Sequence, residues 1–380
     1  MFKDLFKNYI YPIAVFSGGM IGVGFLSLPY ITLQTGIWLM LCYFLIITAL
    51  IVVINLIFCK LSLKTPDFKR FPGFVGYYLG KWGEIYAMVS TIFAVFGILL
   101  VYLIVGAQFL TTALSPVFSG DILTYVLIYF FAVSIIIYFD IKVIERVEFW
   151  VIILLFASLF FIFIEGFSQI KISNIFFNGN SGLNSFFLPY GPLLFALWGI
   201  GLIPEVEEML IEPKGHRGNP KKRLKTIITA STIIISVFYL LFIILVLGIS
   251  GNQTDQTGLQ GLKSFLPDVL VSISLLLGAL ATFTAFITQG IIFKKTLMFD
   301  LKIKHWQAFV MTCFPPLILF LLGLKSFIPL VSFIGGVLLG IDGILILMMY
   351  KKIGGKNFVI YPLSLVFLLG VIYEIIYFIK

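Results

Sequence analysis

Apolar residues in this chain fall into long, nearly uninterrupted runs separated by short polar turns. Eleven runs stand out, at roughly 10–33, 37–59, 83–114, 122–140, 148–165, 189–210, 226–250, 267–298, 305–324, 327–349 and 358–379. Each approaches or exceeds the ~20 apolar residues that cross a hydrocarbon layer about 30 Å thick. In hydrocarbon every backbone amide needs an internal partner, and helix supplies one locally. The pattern therefore predicts an all-α integral membrane fold of eleven transmembrane helices. Short polar turns such as SPVFSGD at 115–121 lie between runs, and the loops at 169–185 and 249–264 are longer. No stretch is long or polar enough for a separate soluble domain, so residues 1–380 read as one membrane domain.

Two kinds of irregularity recur at an interval of five runs. The third and eighth runs, 83–114 and 267–298, are unusually long. At ~1.5 Å per residue each reaches about 48 Å and must tilt or protrude. The first and sixth are unusually broken, by SGGMIGVGFLSLP at 17–29 and LWGIGLIPEVEEM at 197–209. A half of five spans crosses an odd number of times, so its copy enters from the opposite side. The expectation is a five-plus-five inverted repeat with broken helices 1 and 6: a first repeat over 1–165, a second over 189–349, and one additional helix at 358–379. Paired interrupted helices at equivalent positions point to a transporter's binding site.

Composition agrees. Hydrophobic residues make up 61% of the chain and charged residues 11%, with a mean hydropathy of +1.12. A water-soluble enzyme or secreted domain is excluded, since such a chain would leave large apolar patches in water. The net charge of +9 is a matter of topology. With the N-terminus cytoplasmic, only Lys171, Lys263, Lys325 and Lys380 of the 26 basic residues fall outside the cytoplasmic turns, as the positive-inside rule requires. That spread over many turns argues against a nucleic-acid surface and places the C-terminus outside a cell (plasma) membrane. Lys3 and Lys7 precede an apolar run, but no small-residue cleavage site follows and Pro12 interrupts it, so it reads as a retained first helix. Cys42, Cys59 and Cys313 lack metal-ligand spacing and read as small core residues.

A glycine-rich interruption at mid-membrane frees amides and carbonyls and lets a ligand approach the backbone. Freed amides at the start of a resumed half-helix suit a carboxylate, and freed carbonyls suit an ammonium group or small cation. In the first run Gly18, Gly19, Gly22 and Gly24 supply these properties, with Pro29 limiting the next half-helix. In the sixth, Gly199 and Gly201 do so, with Pro204 just beyond. Neither break places a charged side chain beside the ligand, and Trp198 offers an apolar ring. A neutral, hydrophobic or aromatic amino acid fits that setting.

VFSGGMIGVGFLSLPYITLQTG at 15–36 resembles the first-helix signature of the amino acid/auxin permease family, including bacterial aromatic amino acid permeases. WGIGLIPEVEEM at 198–209 is similar to the sixth helix of the same superfamily, and ALATFTAFITQGIIFKKTLMFD at 279–300 to its eighth. The resemblance implies the LeuT-like fold of sodium-coupled neurotransmitter transporters and secondary active transport of amino acids without a cofactor. It implies that amides around Gly22, Val23 and Gly24 take the substrate carboxylate. Carbonyls near Ser17-Gly18 and Trp198-Gly199 take its amino group. Trp198, with Tyr102 or Gln108 from the third helix, lines the side-chain pocket. Thr282 and Thr284 would contribute to a sodium site, but the family's sodium-coupled members carry Asn where this chain has Gly18. The fifth run also lacks the lysine that replaces sodium in some relatives.

Ionisable groups at membrane depth are rare and functional. Among the 17 acidic residues, Glu205 and Asp342 are read as lying well within a run. Glu205 adjoins the sixth-run break and is the first candidate for a proton carrier; Asp342 could gate the inner cavity or pair across helices. Glu207 and Glu208 suit ion pairs with the basic loop that follows, and His216 and His305 read as solvated. The resulting expectation is an amino acid importer driven by protons, with sodium as the alternative, embedded in lipid and workable as a single copy. A membrane transferase lacks the clustered His, Asp or Glu it needs here, and a channel does not require paired broken helices.

Overall fold

The computed structural model describes residues 6–66, 69–115, 117–139, 144–176, 183–211, 220–299 and 301–379. Fifteen helices carry the architecture: α1 (Tyr11–Met20), α2 (Leu28–Thr35), α3 (Ile37–Ser62), α4 (Phe71–Leu79), α5 (Lys81–Leu114), α6 (Ile122–Tyr138), α7 (Ile144–Gly166), α8 (Tyr190–Leu197), α9 (Ile203–Ile211), α10 (Pro220–Ser250), α11 (Asp268–Phe299), α12 (His305–Leu321), α13 (Phe327–Phe333), α14 (Gly340–Lys352) and α15 (Asn357–Ile379). Short helical turns join several of them, and no strand occurs among the described residues.

Seven helical stretches are long and apolar enough to cross a membrane, one of them the broken sixth run at Ser185–Leu210. The bent pair formed by α1 and α2 makes an eighth. Three shorter apolar helices, Ile122–Tyr138, Ile153–Gln169 and His305–Leu321, occupy the fourth, fifth and ninth runs. The burial pattern is that of a protein in lipid. Large apolar side chains such as Leu45, Phe160 and Leu365 face outward, while Lys294 and Glu374 are fully enclosed.

The two long runs became the longest helices, α5 with 34 residues and α11 with 32. They pack along each other, with Gly278 of α11 against the ring of Phe109 and Gly106 of α5 against Tyr129 and Thr282. Near the C-terminal end of α11, the Lys294 ammonium donates to the Ile137 carbonyl at 2.5 Å. It satisfies the last turn of α6 with a charge of the right sign for a helix C-terminus. At the opposite end of α6, Asp121 caps the first turn. The Thr124 hydroxyl, then its amide, hold that carboxyl below the usual carboxylate range.

The tenth run is not one regular helix. Between α13 and α14, Ile334–Leu339 winds as a π-helix. Widening of this kind marks functional or strained positions. Here it lies against α8, the first half of the broken sixth run. A Cβ on Gly335 would sit 2.0 Å from the Gly191 carbonyl oxygen, and one on Gly336 only 2.2 Å from the Glu374 side chain. The seam between α8 and the tenth run thus depends on absent side chains. Gly335→Ala should lower the thermal stability of the detergent-purified protein by about 1–3 kcal/mol, because its nearest clash is backbone that cannot rotate away. An unchanged melting temperature would show that the seam is looser than described.

Candidate functional site

Both expected breaks are present, and both are narrower than the glycine clusters suggested. α1 runs through Gly18 and Gly19 and ends at Met20. Ile21 then turns extended (φ −79°, ψ 100°), Gly22 follows at φ −120°, ψ −172°, and Val23–Ser27 forms a 3₁₀ turn before α2. The two halves bend by 57°. In the sixth run α8 ends at Leu197, Trp198 is extended (φ −72°, ψ 115°), and Ile200–Leu202 forms a 3₁₀ turn before α9. Neither break uses a left-handed glycine. Their glycines supply space instead: Gly19 accommodates Leu202, Gly24 accommodates Phe195, and Gly199 accommodates Phe16 and Met20. The two interruptions therefore interlock.

A residue overlooked in the sequence joins them. Tyr239 of α10 is fully buried. Its hydroxyl points at the Met20 carbonyl at 3.1 Å and at the Ala196 carbonyl at 3.2 Å, one from each broken span. One proton serves both oxygens as a shared hydrogen bond. The ring stacks on Phe25, with centroids 5.4 Å apart and planes 4° from parallel. Nothing in a lone tyrosine in an apolar run signalled this role.

A cavity of about 60 Å³ opens beside the first break. Ile21, Gly22 and Val23 form one wall; Tyr102 and Phe109 of α5, Leu155 and Leu159 of α7, and Thr282 of α11 form the others. The lining carries no charged side chain. Gly22, Val23 and Tyr102 come together at this cavity, with the Tyr102 hydroxyl 3.9 Å from the position a Gly22 Cβ would take. Other expected residues do not reach the cavity. Trp198, Gly199 and Gly201 do not line it, and Gly18 and Ser17 sit inside α1, the latter buried without a partner for its hydroxyl. Gly24 packs on α8. Gln108 lines a separate polar bowl of about 450 Å³ with Thr111, Thr112, Asp255 and Gln260. The 251–264 loop divides bowl from cavity, because its Leu259 forms part of the cavity wall. Asp255 organises that loop by accepting from the amides of Thr257 and Gly261, each at 2.9 Å. Lys263 anchors it to the Thr112 carbonyl at 2.9 Å.

The coupling residues are dispersed. The Thr282 and Thr284 hydroxyls each donate to their own helix, to Ala279 at 2.8 Å and Ala281 at 3.1 Å. Two positions apart on a helix are about 200° apart, so only Thr282 faces the cavity and the paired-hydroxyl cation site does not form. Glu205 is exposed on the first turn of α9 rather than enclosed. Asp342 is buried and accepts from Ser90 of α5 at 3.1 Å. Glu207 accepts from Ser62 at the end of α3; much of the basic loop expected to pair with Glu207 and Glu208, with His216, lies outside the described residues. His305 is not simply solvated, since it stacks edge-on with Tyr138 at 5.5 Å and lies 3.4 Å from Lys294 Nζ. Cys59 and Cys313 are buried, but Cys42 is exposed on α3. A third enclosed acid, Glu374 of α15, was missed because it stands in the last apolar run, outside the expected repeats.

An apolar cavity beside a broken helix, inside a bundle whose outer surface suits lipid, defines a multi-pass membrane transporter. The architecture is LeuT-like. It is similar to "Inward facing conformation of Mhp1" (TM-score 0.63, 14% identity, covering 97% of this chain and 89% of that one). It is also similar to Mhp1 closed with bromovinylhydantoin bound (TM-score 0.65, 12% identity, 97% and 90% covered) and to "Crystal structure of MhsT in complex with L-phenylalanine" (TM-score 0.55, 16% identity, 97% of each chain). A comparison with curated proteins gave no match. The sequence model of the tryptophan/tyrosine permease family matches residues 7–357, and the chain belongs to that family. The resemblance to amino acid permeases thus holds, while the family shown is not the amino acid/auxin permeases.

Tyr239→Phe removes one hydroxyl and leaves two carbonyls without a donor in a dry setting. Such a loss costs about 1–3 kcal/mol. The variant should insert and fold, melt at a lower temperature than the parent, and transport more slowly. Parental stability together with parental transport would show that the bridge between the breaks is dispensable.

Proposed function

We propose that this protein is a secondary active transporter that imports a neutral, hydrophobic or aromatic amino acid by alternating access, with protons as the coupling ion. It crosses the cell membrane eleven times, with the N-terminus cytoplasmic and the C-terminus outside, in two inverted five-helix repeats plus α15. The observation that carries the substrate class is the cavity at the first break: backbone of Gly22 and Val23 on one side, Tyr102, Phe109 and two leucines on the others, and no charge among them. Exposed amides offer hydrogen bonds to a carboxylate, and the apolar walls suit a ring. Membership of the tryptophan/tyrosine permeases, and the L-phenylalanine held by the structurally similar MhsT, agree with that reading. The cavity's ~60 Å³ is well below the roughly 300 Å³ or more of an ordinary ligand cleft. Binding therefore requires the broken spans to move away from α5 and α11.

Protons are favoured over sodium because the two threonine hydroxyls of α11 diverge and an enclosed carboxyl stands on α14. Of the two acids first considered, Asp342 is the better placed carrier. It is dry and held by a single hydroxyl, whereas Glu205 sits exposed and suits exchange with the inner solution.

In proteoliposomes, unlabelled tryptophan, tyrosine, phenylalanine or leucine should compete for uptake of a labelled aromatic amino acid far better than arginine or glutamate. The reverse order would refute the substrate class. Asp342→Asn should abolish accumulation driven by a pH gradient while sparing substrate exchange, with Glu205→Gln having the smaller effect. Uptake that requires external sodium at fixed pH, and loses that requirement in Thr282→Ala, would overturn the proton assignment.

A further inference from the structure

Glu374 takes no part in the site described above. It lies on α15, beyond the residues matched by the family, yet it is among the most enclosed charged-type residues of the protein, at 1% exposure. Its side chain fills a slot made by two glycines on different helices. A Cβ on Gly191 of α8 would stand 2.5 Å from Glu374 Oε1, and one on Gly336 of the π-helical segment 2.2 Å from its Cγ. The backbone amide of Gly191 is the nearest donor, but neither carboxyl oxygen completes a hydrogen bond of ordinary geometry. Two more enclosed polar atoms share the condition at the same seam: the hydroxyls of Tyr190 and Ser332. Titratable neighbours are phenols, Tyr43 of α3, Tyr190 of α8, and Tyr373 and Tyr377 on α15 itself. Among the described residues no basic side chain pairs with it.

On its own helix Glu374 is preceded by Tyr373 and followed one turn later by Tyr377. Tyr373 and Tyr377 line a groove of about 600 Å³ between α15 and the turn at Gly323–Ser326. In the proposed orientation, on which this inference rests, that groove opens to the external side.

We propose that Glu374 is a proton-binding site reached from the external groove, and that its occupancy controls whether α8 stays closed against the tenth run. The neutral acid fits a dry slot between glycines. An ionised carboxylate does not, because an unpaired charge in such a setting carries a large desolvation penalty. Loss of the proton therefore draws water through the groove or swings the side chain outward, and either motion separates Gly191 from Gly336. α8 is half of a broken span, so external protons shut the outer side of the transporter at a point distant from the cavity.

The test needs no transported substrate, so its result is independent of the proposed amino acid. In a background with Cys42, Cys59 and Cys313 replaced, Leu330→Cys reports on the groove wall and Ser326→Cys on an exposed position of the same turn. A membrane-impermeant maleimide is added to proteoliposomes over a range of external pH. The Leu330→Cys rate divided by the Ser326→Cys rate should rise several-fold more with pH in the parent than in Glu374→Gln, whose two thiols ionise as the parent's do. A ratio flat in the parent, a pH response of the same size in Glu374→Gln, or a response to sodium at fixed pH in its place overturns the proposal. A second measurement leaves the residue unmutated. Dicyclohexylcarbodiimide, which attacks protonated carboxyls in apolar surroundings, should modify Glu374 less as external pH rises, read by mass spectrometry of its peptide. Absence of modification at every pH also overturns it.

Discussion

Backbone groups released inside a membrane must be satisfied, and the organisation of this transporter follows from how two such releases are handled together. Breaking one helix frees carbonyls that would otherwise face hydrocarbon. Breaking two at one place lets a single buried hydroxyl serve both, and Tyr239 does so for Met20 and Ala196. Its position on α10 requires the ends of α1 and α8 to stay within one hydroxyl's reach. Gly19, Gly24 and Gly199 then supply the close approach that brings them there. The first and sixth spans are consequently one mechanical unit, and a motion of either carries the other.

Much of this was legible in the sequence. Run boundaries at 37–59, 83–114 and 267–298 fall within a few residues of α3, α5 and α11, since helix ends in lipid follow the change from apolar to polar residues. The breaks were legible too, because glycine with proline is the local signature of an interrupted helix. Their detail was not. Glycine permits both unwinding and close packing, and only the neighbour's position separates the two. Gly22 faces the cavity, whereas Gly24, two residues later, faces Phe195.

The cavity wall shows the same limit. Tyr102 lines the cavity and Trp198 does not, though both are aromatic residues near a break. Which helix face meets which neighbour depends on crossing geometry that periodicity cannot supply when all faces are apolar. Polar residues in such runs are better signals, but they act across helices. Ser90 and Asp342 are 252 positions apart, and Ser62 and Glu207 are 145 apart. Glu374 shows how an assumed repeat can mislead: the helix set aside as an addition carries an acid that packs on the centre of the second half.

The two ends of the bundle are held by different chemistry. At one end of the bundle, Ser62 bonds Glu207 and Arg223 bonds Asn8 at 3.0 Å, tying α3 and α10 to the ends of the broken spans. Polar ties of this kind exchange readily for water, so the net loss on opening is only about 0.5–1.5 kcal/mol for each neutral bond, and somewhat more where one partner is charged. At the other end, α8 meets the tenth run through glycines so close that Gly335 nearly touches the Gly191 carbonyl. Separating that seam exposes packed apolar surface and three polar groups that have no partner when closed. The first set of contacts is thus made of bonds that water can replace. The seam is held by packing, around Tyr190, Ser332 and Glu374 groups that have no hydrogen-bond partner within it. Separating it exchanges lost packing for gained solvation.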